Sequence, residues 1–264
     1  MFDAARFRER LATHRLGQHL VVRATTESTN DDAWIALGTM GDGVAVIAFE
    51  QTRGRGRAGR GWHLAPGQGL ALSVAVRLGC DVRQAGVIPL AAGLATLRAA
   101  HALGVQAARL KWPNDVLVHG RKLAGVLCEV RHTPRGDAAV IGIGMNVLQT
   151  RDDFPPELRD TATSLALEGS DAQLADAAAG VLSALEPLWV ESQEGDRAAL
   201  LAAWSAQAPH WGTWLRVRTP AGEVEGIAQR LDADGALVLR LASGAETTVL
   251  AGDVVAGTPG GEQP

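Results

Sequence analysis

The sequence predicts an α+β fold: a mixed β-sheet flanked by helices, followed by a small antiparallel β-barrel. Three observations carry this. Apolar runs of strand length (44–50, 70–78 and 138–147) are interleaved with stretches of helical periodicity. Past Trp211 the texture changes to four or five short strands spaced about ten residues apart, as in a small barrel. The 264 residues are 47% hydrophobic and 20% charged, which supplies a sizeable core and rules out wholesale disorder.

In chain order, Phe7 and Leu11 at helical spacing predict a helix over 3–16, and HLVVRAT (19–25) predicts a strand. Ser28 or Thr29 caps a helix over 30–37, with Asp31 and Asp32 in the first turn, where the helix dipole favours acids. VAVIAFE (44–50) reads as a buried strand. Residues 52–69, rich in glycine, read as a long loop, and a loop of that length inside a compact domain is usually functional. A strand over 70–78 and an Ala-rich helix over 84–103, ended by Gly104, come next. RLKW (109–112), DVLV (115–118) and KLAGVLCEV (122–130) read as short strands around a turn at His119-Gly120, and 138–147 as a buried strand. Residues 151–169, with Pro155 and Pro156, form a second long loop before helices at 171–190 and 196–207. The expected units are a domain over 1–210, a barrel over 211–257 too small to stand without the main domain, and a disordered tail over 258–264.

The formal net charge of -4 argues against a general polyanion binder. Cys80 and Cys128 are too few for a disulfide framework and sit in apolar runs, so both read as buried thiols in a reducing cytoplasm. The charged N-terminus lacks the apolar core of a signal peptide. No apolar run reads as the roughly 18 residues that span a bilayer, so no membrane partner is expected.

Arginine has displaced lysine almost everywhere: of 25 basic residues only Lys111 and Lys122 are lysine. The only asparagines are Asn30, Asn114 and Asn146. In so depleted a chain, each survivor marks a place where no substitute works. A lysine ammonium is a compact point charge that can approach a single anionic oxygen, which the arginine fork cannot.

The strongest local signal is the run Arg53-Gly54-Arg55-Gly56-Arg57-Ala58-Gly59-Arg60-Gly61-Trp62. Its arginines supply forked donors for carboxylate or phosphate, while the glycines free the backbone. Gly54 to Gly59 matches G-x-G-x-x-G, but no helix follows, so a dinucleotide fold is excluded; no Lys-Ser or Lys-Thr pair follows either, which excludes a Walker A loop. A disordered arginine-glycine nucleic-acid segment would not lie between two apolar strands. The second signal is Lys111-Trp112-Pro113-Asn114-Asp115 followed by Lys122-Leu123-Ala124-Gly125. Pro113 ends a strand and places Asn114 and Asp115 on a turn. Asp115 suits a Mg²⁺ ligand or a base. Glu27-Ser28-Thr29-Asn30 opens a helix, and Gly142-Ile143-Gly144-Met145-Asn146 ends a strand whose glycines permit close approach by a ligand or another backbone.

STN (28–30), QTRGRGRAGRGW (51–62), KWPND (111–115), RKLAG (121–125) and GIGMN (142–146) stand in the order and spacing found in biotin–protein ligases, and ATSL (162–165) and the terminal barrel also fit. Over about residues 20–256 the chain resembles that family, and all five surviving lysines and asparagines fall inside the shared motifs. The resemblance implies a class II synthetase-like catalytic domain and an SH3-like C-terminal barrel. It implies that biotin and MgATP give biotinyl-5'-AMP and pyrophosphate, and that the biotinyl group passes to one lysine of the biotin carboxyl carrier protein of acetyl-CoA carboxylase. Lys122, Arg57 and Asp115 are the implied catalytic set. Ser28, Thr29, Asn30, Gln51, Gly54, Arg55, Gly56, Arg57, Lys122 and Gly125 are implied on the biotin side. Arg57, Trp62, Lys111, Asn114, Asp115, Lys122 and Asn146 are implied on the ATP side, with Asp115 the implied Mg²⁺ ligand.

Some members of that family carry an N-terminal helix-turn-helix domain and repress biotin-synthesis genes. Here 27 residues precede Ser28, and the expectation is a monofunctional, cytoplasmic enzyme without a nucleic-acid partner, compatible with a homodimer. The alternatives are a lipoate or octanoate ligase of the same fold, disfavoured by the KWPND and GRGRAG pair, and an arginine-glycine nucleic-acid-binding module.

Overall fold

The computed structural model describes residues 2–79, 82–194 and 197–255. Along the chain, α1 (Ala4–Arg10), β1 (Leu20–Thr26), α2 (Thr29–Thr39), β2 (Ala45–Gln51) and β3 (Gly69–Arg77) lead to helix α3 (Ile88–Ala102). Strands β4 (Ala108–Lys111), β5 (Asp115–Val118), β6 (Arg121–Thr133) and β7 (Gly136–Asn146) follow, then helices α4 (Leu174–Glu194) and α5 (Ala198–Ser205). The last elements are β8 (Trp214–Thr219), β9 (Gly222–Leu231), β10 (Leu237–Arg240), β11 (Glu246–Val249) and β12 (Asp253–Val255).

The first seven strands form one sheet in the order β1-β2-β3-β7-β6-β5-β4. β1 and β2 are parallel and every other neighbouring pair is antiparallel, so the sheet is mixed, as predicted. Alternation sorts its side chains onto two faces. Ile47, Leu72, Val74 and Ile141 join the main core with α3 and α4. Val46, Ala75 and Val140 point the other way, onto Ala33, Ala36 and Leu37 of α2.

The C-terminal strands make a five-stranded antiparallel sheet, β11-β10-β9-β8-β12, of the SH3-like kind. Its buried Leu215, Val217, Leu237 and Leu239 are continuous with the main core, which is how so small a unit is supported. Trp112, beside the strand end at Lys111, donates from Nε1 to the Gly235 carbonyl at 3.2 Å and so ties the second sheet to the first.

Several expectations are corrected. The helix over 3–16 stops at Arg10, because the amides beyond it find other acceptors: the Glu186 carboxylate on α4 takes the N–H groups of His14, Arg15 and Leu16 at 2.6, 2.9 and 2.7 Å. α3 starts at Ile88 rather than 84, with Pro89 in its first turn, where a missing N–H costs nothing. α4 lies a few residues later than expected. The stretch Ala85–Ala102, with mean hydropathy 1.2, is long and apolar enough to cross a membrane by length and composition, contrary to the sequence reading; 67% of it is buried inside the molecule, as a core helix. Cys128 is a free, half-buried thiol whose pKa burial pushes up to about 12. Cys80 and the expected tail lie outside the described residues.

Candidate active site

A cavity of about 380 Å³ opens where α2, the sheet and both long loops meet. Its floor is β3, β6 and β7, and glycine is required there by what lies on it. A Cβ on Gly142 would sit 2.2 Å from Asn30 Oδ1, and one on Gly144 would sit 2.3 Å from the Trp62 indole. The glycines read as permitting close approach are approached by Asn30 and Trp62.

One wall is the start of α2. Ser28 occupies the N-cap, but its hydroxyl makes no cap bond, correcting the simplest reading of that motif. The Gln51 amide oxygen accepts from Thr29 N at 2.8 Å and from the Thr29 hydroxyl at 3.2 Å. Ser73 Oγ lies 2.7 Å from both Thr29 Oγ1 and Asn30 Oδ1. Threonine, asparagine and glutamine therefore reach the cavity as one braced polar cluster, with Ser73, which sequence reasoning missed, buried behind them.

The opposite wall carries charge. β5 and β6 form a hairpin whose register shifts: Val116 faces Ala124, but Leu117 faces Lys122. In a regular strand Lys122 and Gly125 would point to opposite faces. The bulge at Leu123 brings Lys122 onto the Asp115 and Gly125 face, and Lys122 Nζ lies 2.6 Å from Asp115 Oδ1. Lys122 Nζ also stands 5.6 Å from the Trp62 ring centroid. Lys111 lines the same cavity, and burial lowers its pKa. The buried indole N–H of Trp62 has no partner among the described residues, so a donor is left for a ligand to meet.

The glycine-arginine segment is not an open loop. Gly56 N donates to the Arg60 carbonyl at 2.6 Å and Trp62 N to the Gly54 carbonyl at 2.9 Å, closing a small hairpin. A Cβ on Gly54 would lie 2.6 Å from the Trp62 carbonyl oxygen. Gly54 thus serves close approach of the two arms; it alone of the expected site residues lies outside the cavity wall, facing an outer groove with Glu27 and Asp31. The arginines diverge. Arg57 turns inward, half-buried, and donates to Asn114 Oδ1 at 3.1 Å, with burial lowering its pKa. Arg55 is held by Asp31 at 2.6 and 2.8 Å and by Glu129 at 3.0 Å. Arg60, which sequence reasoning did not single out, pairs with Asp253 of β12 at 2.7 Å.

Asn114 is fixed through its Nδ2, which donates to the Val126 carbonyl at 2.7 Å. Asn146 lines the cavity, but its amide is spent on the scaffold: Nδ2 donates to the carbonyls of Thr163 (2.9 Å) and Lys122 (3.3 Å), and Oδ1 accepts from Gln149 (3.0 Å). The second long loop closes this side. Lys122 N donates to the Thr161 carbonyl at 2.7 Å, Thr163 N donates to the Lys122 carbonyl at 3.0 Å, and Phe154, Leu158 and Ala162 add an apolar rim. The prolines in that loop signalled its irregularity, not its contacts.

The arrangement gathers three cationic groups, Lys111, Lys122 and Arg57, round one carboxylate, Asp115, beside a neutral polar cluster. It suits the joining of two anions, whose mutual repulsion such charges offset.

Comparison with known proteins agrees. The profile of the biotin/lipoate A/B protein ligase family matches residues 22–146, and that of the biotin protein ligase C terminal domain matches residues 216–257. The chain is 40% identical over 246 residues to the biotin--[acetyl-CoA-carboxylase] ligase of Mycobacterium tuberculosis, covering 90% of this chain and 89% of the relative. It is 33% identical over 237 residues to a bifunctional ligase/repressor of Bacillus spizizenii, covering 89% and 73%. Among solved structures, the biotin protein ligase from Aquifex aeolicus in complex with biotin and ATP superposes with a TM-score of 0.77 at 26% identity, over 90% of this chain and 98% of that one. With five motifs brought to one cavity and relatives that align over nearly its whole length, this chain belongs to the biotin protein ligase family.

Proposed function

We infer that this chain activates biotin with ATP to biotinyl-5'-AMP, releasing pyrophosphate, and transfers the biotinyl group to a lysine of the biotin carboxyl carrier protein of acetyl-CoA carboxylase. The observation that carries this is the convergence of both lysines of the chain on one cavity with Arg57, Asn114 and Asp115. A carboxylate and a triphosphate must meet there, and neither approaches the other unless positive groups take up the charge.

We assign Lys122 to the biotin carboxylate and the α-phosphate, where its point charge stabilises the pentacoordinate phosphorus as pyrophosphate leaves. Thr29 and Gln51, braced by Ser73 and the neighbouring Asn30, suit the ureido ring, whose N–H and C=O groups need fixed partners. Arg57 and Trp62 close over the adenylate, and Lys111 faces the phosphates. Closure keeps water from the mixed anhydride until the carrier amine attacks its acyl carbon and AMP departs.

The donor set fits Mg²⁺ only in company with the substrate: Asp115 is one carboxylate already paired to Lys122, and among the described residues no group of three metal-ligating side chains exists. Mg²⁺ usually binds through one or two carboxylates plus substrate phosphates. Asp115 would hold such an ion, whose charge neutralises the phosphates.

Other parts of the reading rest on lesser support. Arg53, Arg55 and Arg60 are paired with Glu27, Asp31, Glu129 and Asp253, which supports a reading without a nucleic-acid partner. A requirement for ATP and the free thiol Cys128 support a cytoplasmic location.

The test is transfer itself. Purified protein, biotin, ATP and a carrier domain should give a carrier heavier by one biotinyl group on its target lysine. Modification with lipoate or octanoate instead would overturn the reading.

A further inference from the structure

Glu129 lies on β6 behind the cavity and lines no part of it. Its carboxylate nevertheless accepts four side-chain donors from three parts of the chain. Oε1 takes Asn30 Nδ2 of α2 and Arg55 Nη2 of the glycine-arginine hairpin, each at 3.0 Å. Oε2 takes Trp34 Nε1 of α2 at 3.0 Å and Arg131 Nη2 of its own strand at 3.1 Å. Arg131 in turn lies over the Trp34 ring, 4.4 Å from its centroid. Burial alone would push this carboxyl up; the donors from Asn30, Trp34 and Arg55 outweigh it and hold it below the usual carboxylate range.

Two of those donors, Asn30 and Arg55, are themselves cavity walls from different elements. Neither is free. Asn30 is wedged against Gly142 and Ser73, and the Arg55 guanidinium is held by two acids, Glu129 and Asp31. A guanidinium already satisfied by two carboxylates has little to offer an incoming biotin carboxylate. Its geometry instead sets where the hairpin starts, two residues before Arg57.

We propose that Glu129 is a positioning residue of the biotin site: one carboxylate that locks the start of α2 to the glycine-arginine hairpin, with Arg55 as the hairpin's anchor rather than a ligand for biotin. This rests on the biotin-ligase reading above. It separates the hairpin's arginines by task, Arg55 outward to fixed acids and Arg57 inward to the cavity. It also explains an acid directly after the apolar run Val126-Leu127-Cys128 of β6.

The experiment is a double-mutant cycle of Glu129→Gln and Arg55→Gln, read by biotin-dependent ATP–pyrophosphate exchange at varied biotin and by adenylate escaping into solution. Glutamine keeps the shape but offers one acceptor where four donors converge. Losing the charged partner of these bonds should raise KM for biotin about 10-fold or more and speed adenylate escape, with kcat at saturating biotin within about 3-fold of wild type. Because the effect runs largely through Arg55, Glu129→Gln should cost at most about 3-fold in the Arg55→Gln background. Arg55 stands on an exposed hairpin, so its single variant keeps the fold and remains informative if Glu129→Gln is unstable.

Unchanged KM and escape in both single variants, or a fully additive double variant, would overturn the proposal. A kcat loss at saturating biotin in Arg55→Gln, without change in KM, would instead make Arg55 part of the chemistry and equally contradict it. Wild-type protein without biotin-dependent exchange would refute the underlying reading, a separate and distinguishable failure.

Discussion

Lys122 Nζ stands 2.6 Å from Asp115 Oδ1 across a bulged hairpin, with Gly125 directly beneath it. A Cβ on Gly125 would lie only 3.0 Å from both Cε and Nζ of Lys122, so the ammonium fits its slot closely. Lys122→Ala should slow adenylate formation by about 10²- to 10³-fold, as expected for losing a group aimed at developing charge. Lys122→Arg should fail as well, because the fork has no room above Gly125. Single-turnover adenylate formation measures both. Near-full activity in the arginine variant would remove the argument from lysine scarcity.

Gly144→Ala tests the cavity floor. The new methyl would need the space of the Trp62 indole, 2.3 Å away, and overpacking of this kind costs about 1–3 kcal/mol. Biotin affinity should fall with stability, and tryptophan fluorescence should report the displaced indole. An alanine variant that binds biotin normally would mean that Trp62 is not fixed where it stands.

Arg57→Gly separates catalysis from retention. Arg57 is the hairpin's inward arm, bonded to Asn114. Losing a charge-assisted bidentate contact of about 2–3 kcal/mol corresponds to roughly 30- to 150-fold faster release of the adenylate. Released adenylate would label lysines of bystander proteins, which mass spectrometry detects in mixtures without carrier. A variant that makes no adenylate at all would place Arg57 in the chemical step.

These residues also show what was legible in the sequence. The apolar runs of β2, β3 and β7 announced the sheet because burial on both faces leaves no other composition. The site motifs were legible because lysine and asparagine are so scarce here. The bulge at Leu123 was not, since Leu123 and Ala124 are both buried and alternation simply breaks at that point. The partners of Arg55 were not legible either, because sequence shows a donor's presence and not what it meets; Asp31 and Glu129 lie 24 and 74 residues away. The helix over 3–16 was overextended for the same reason, its missing acceptor being Glu186 on α4, about 170 residues on.

That last contact sets a pH dependence. Burial would raise the Glu186 pKa, but the amides of His14, Leu16 and Arg15 outweigh it and hold it below the ordinary glutamate value of 4.5. A folded-state pKa below the unfolded one means stability that is present above pH 4.5 and lost as pH falls through the lower, folded value. Glu186→Gln should therefore be less stable at pH 7 by about 1–3 kcal/mol, with the gap narrowing below pH 4.5. Urea titrations of both proteins across that range measure it. A gap that stayed constant with pH would show that the carboxylate charge is irrelevant.

One claim is central: Lys111, Lys122 and Asp115 join biotin to the α-phosphate of ATP, and Arg57 holds the adenylate that results. The most direct measurement is isotope exchange between pyrophosphate and ATP, with biotin as the only added acid and no carrier present. Exchange that requires biotin and Mg²⁺, and that collapses in Lys122→Ala, is the predicted result. Exchange driven by lipoate or octanoate but not by biotin, or biotin-dependent exchange that survives unchanged in Lys122→Ala, would contradict it.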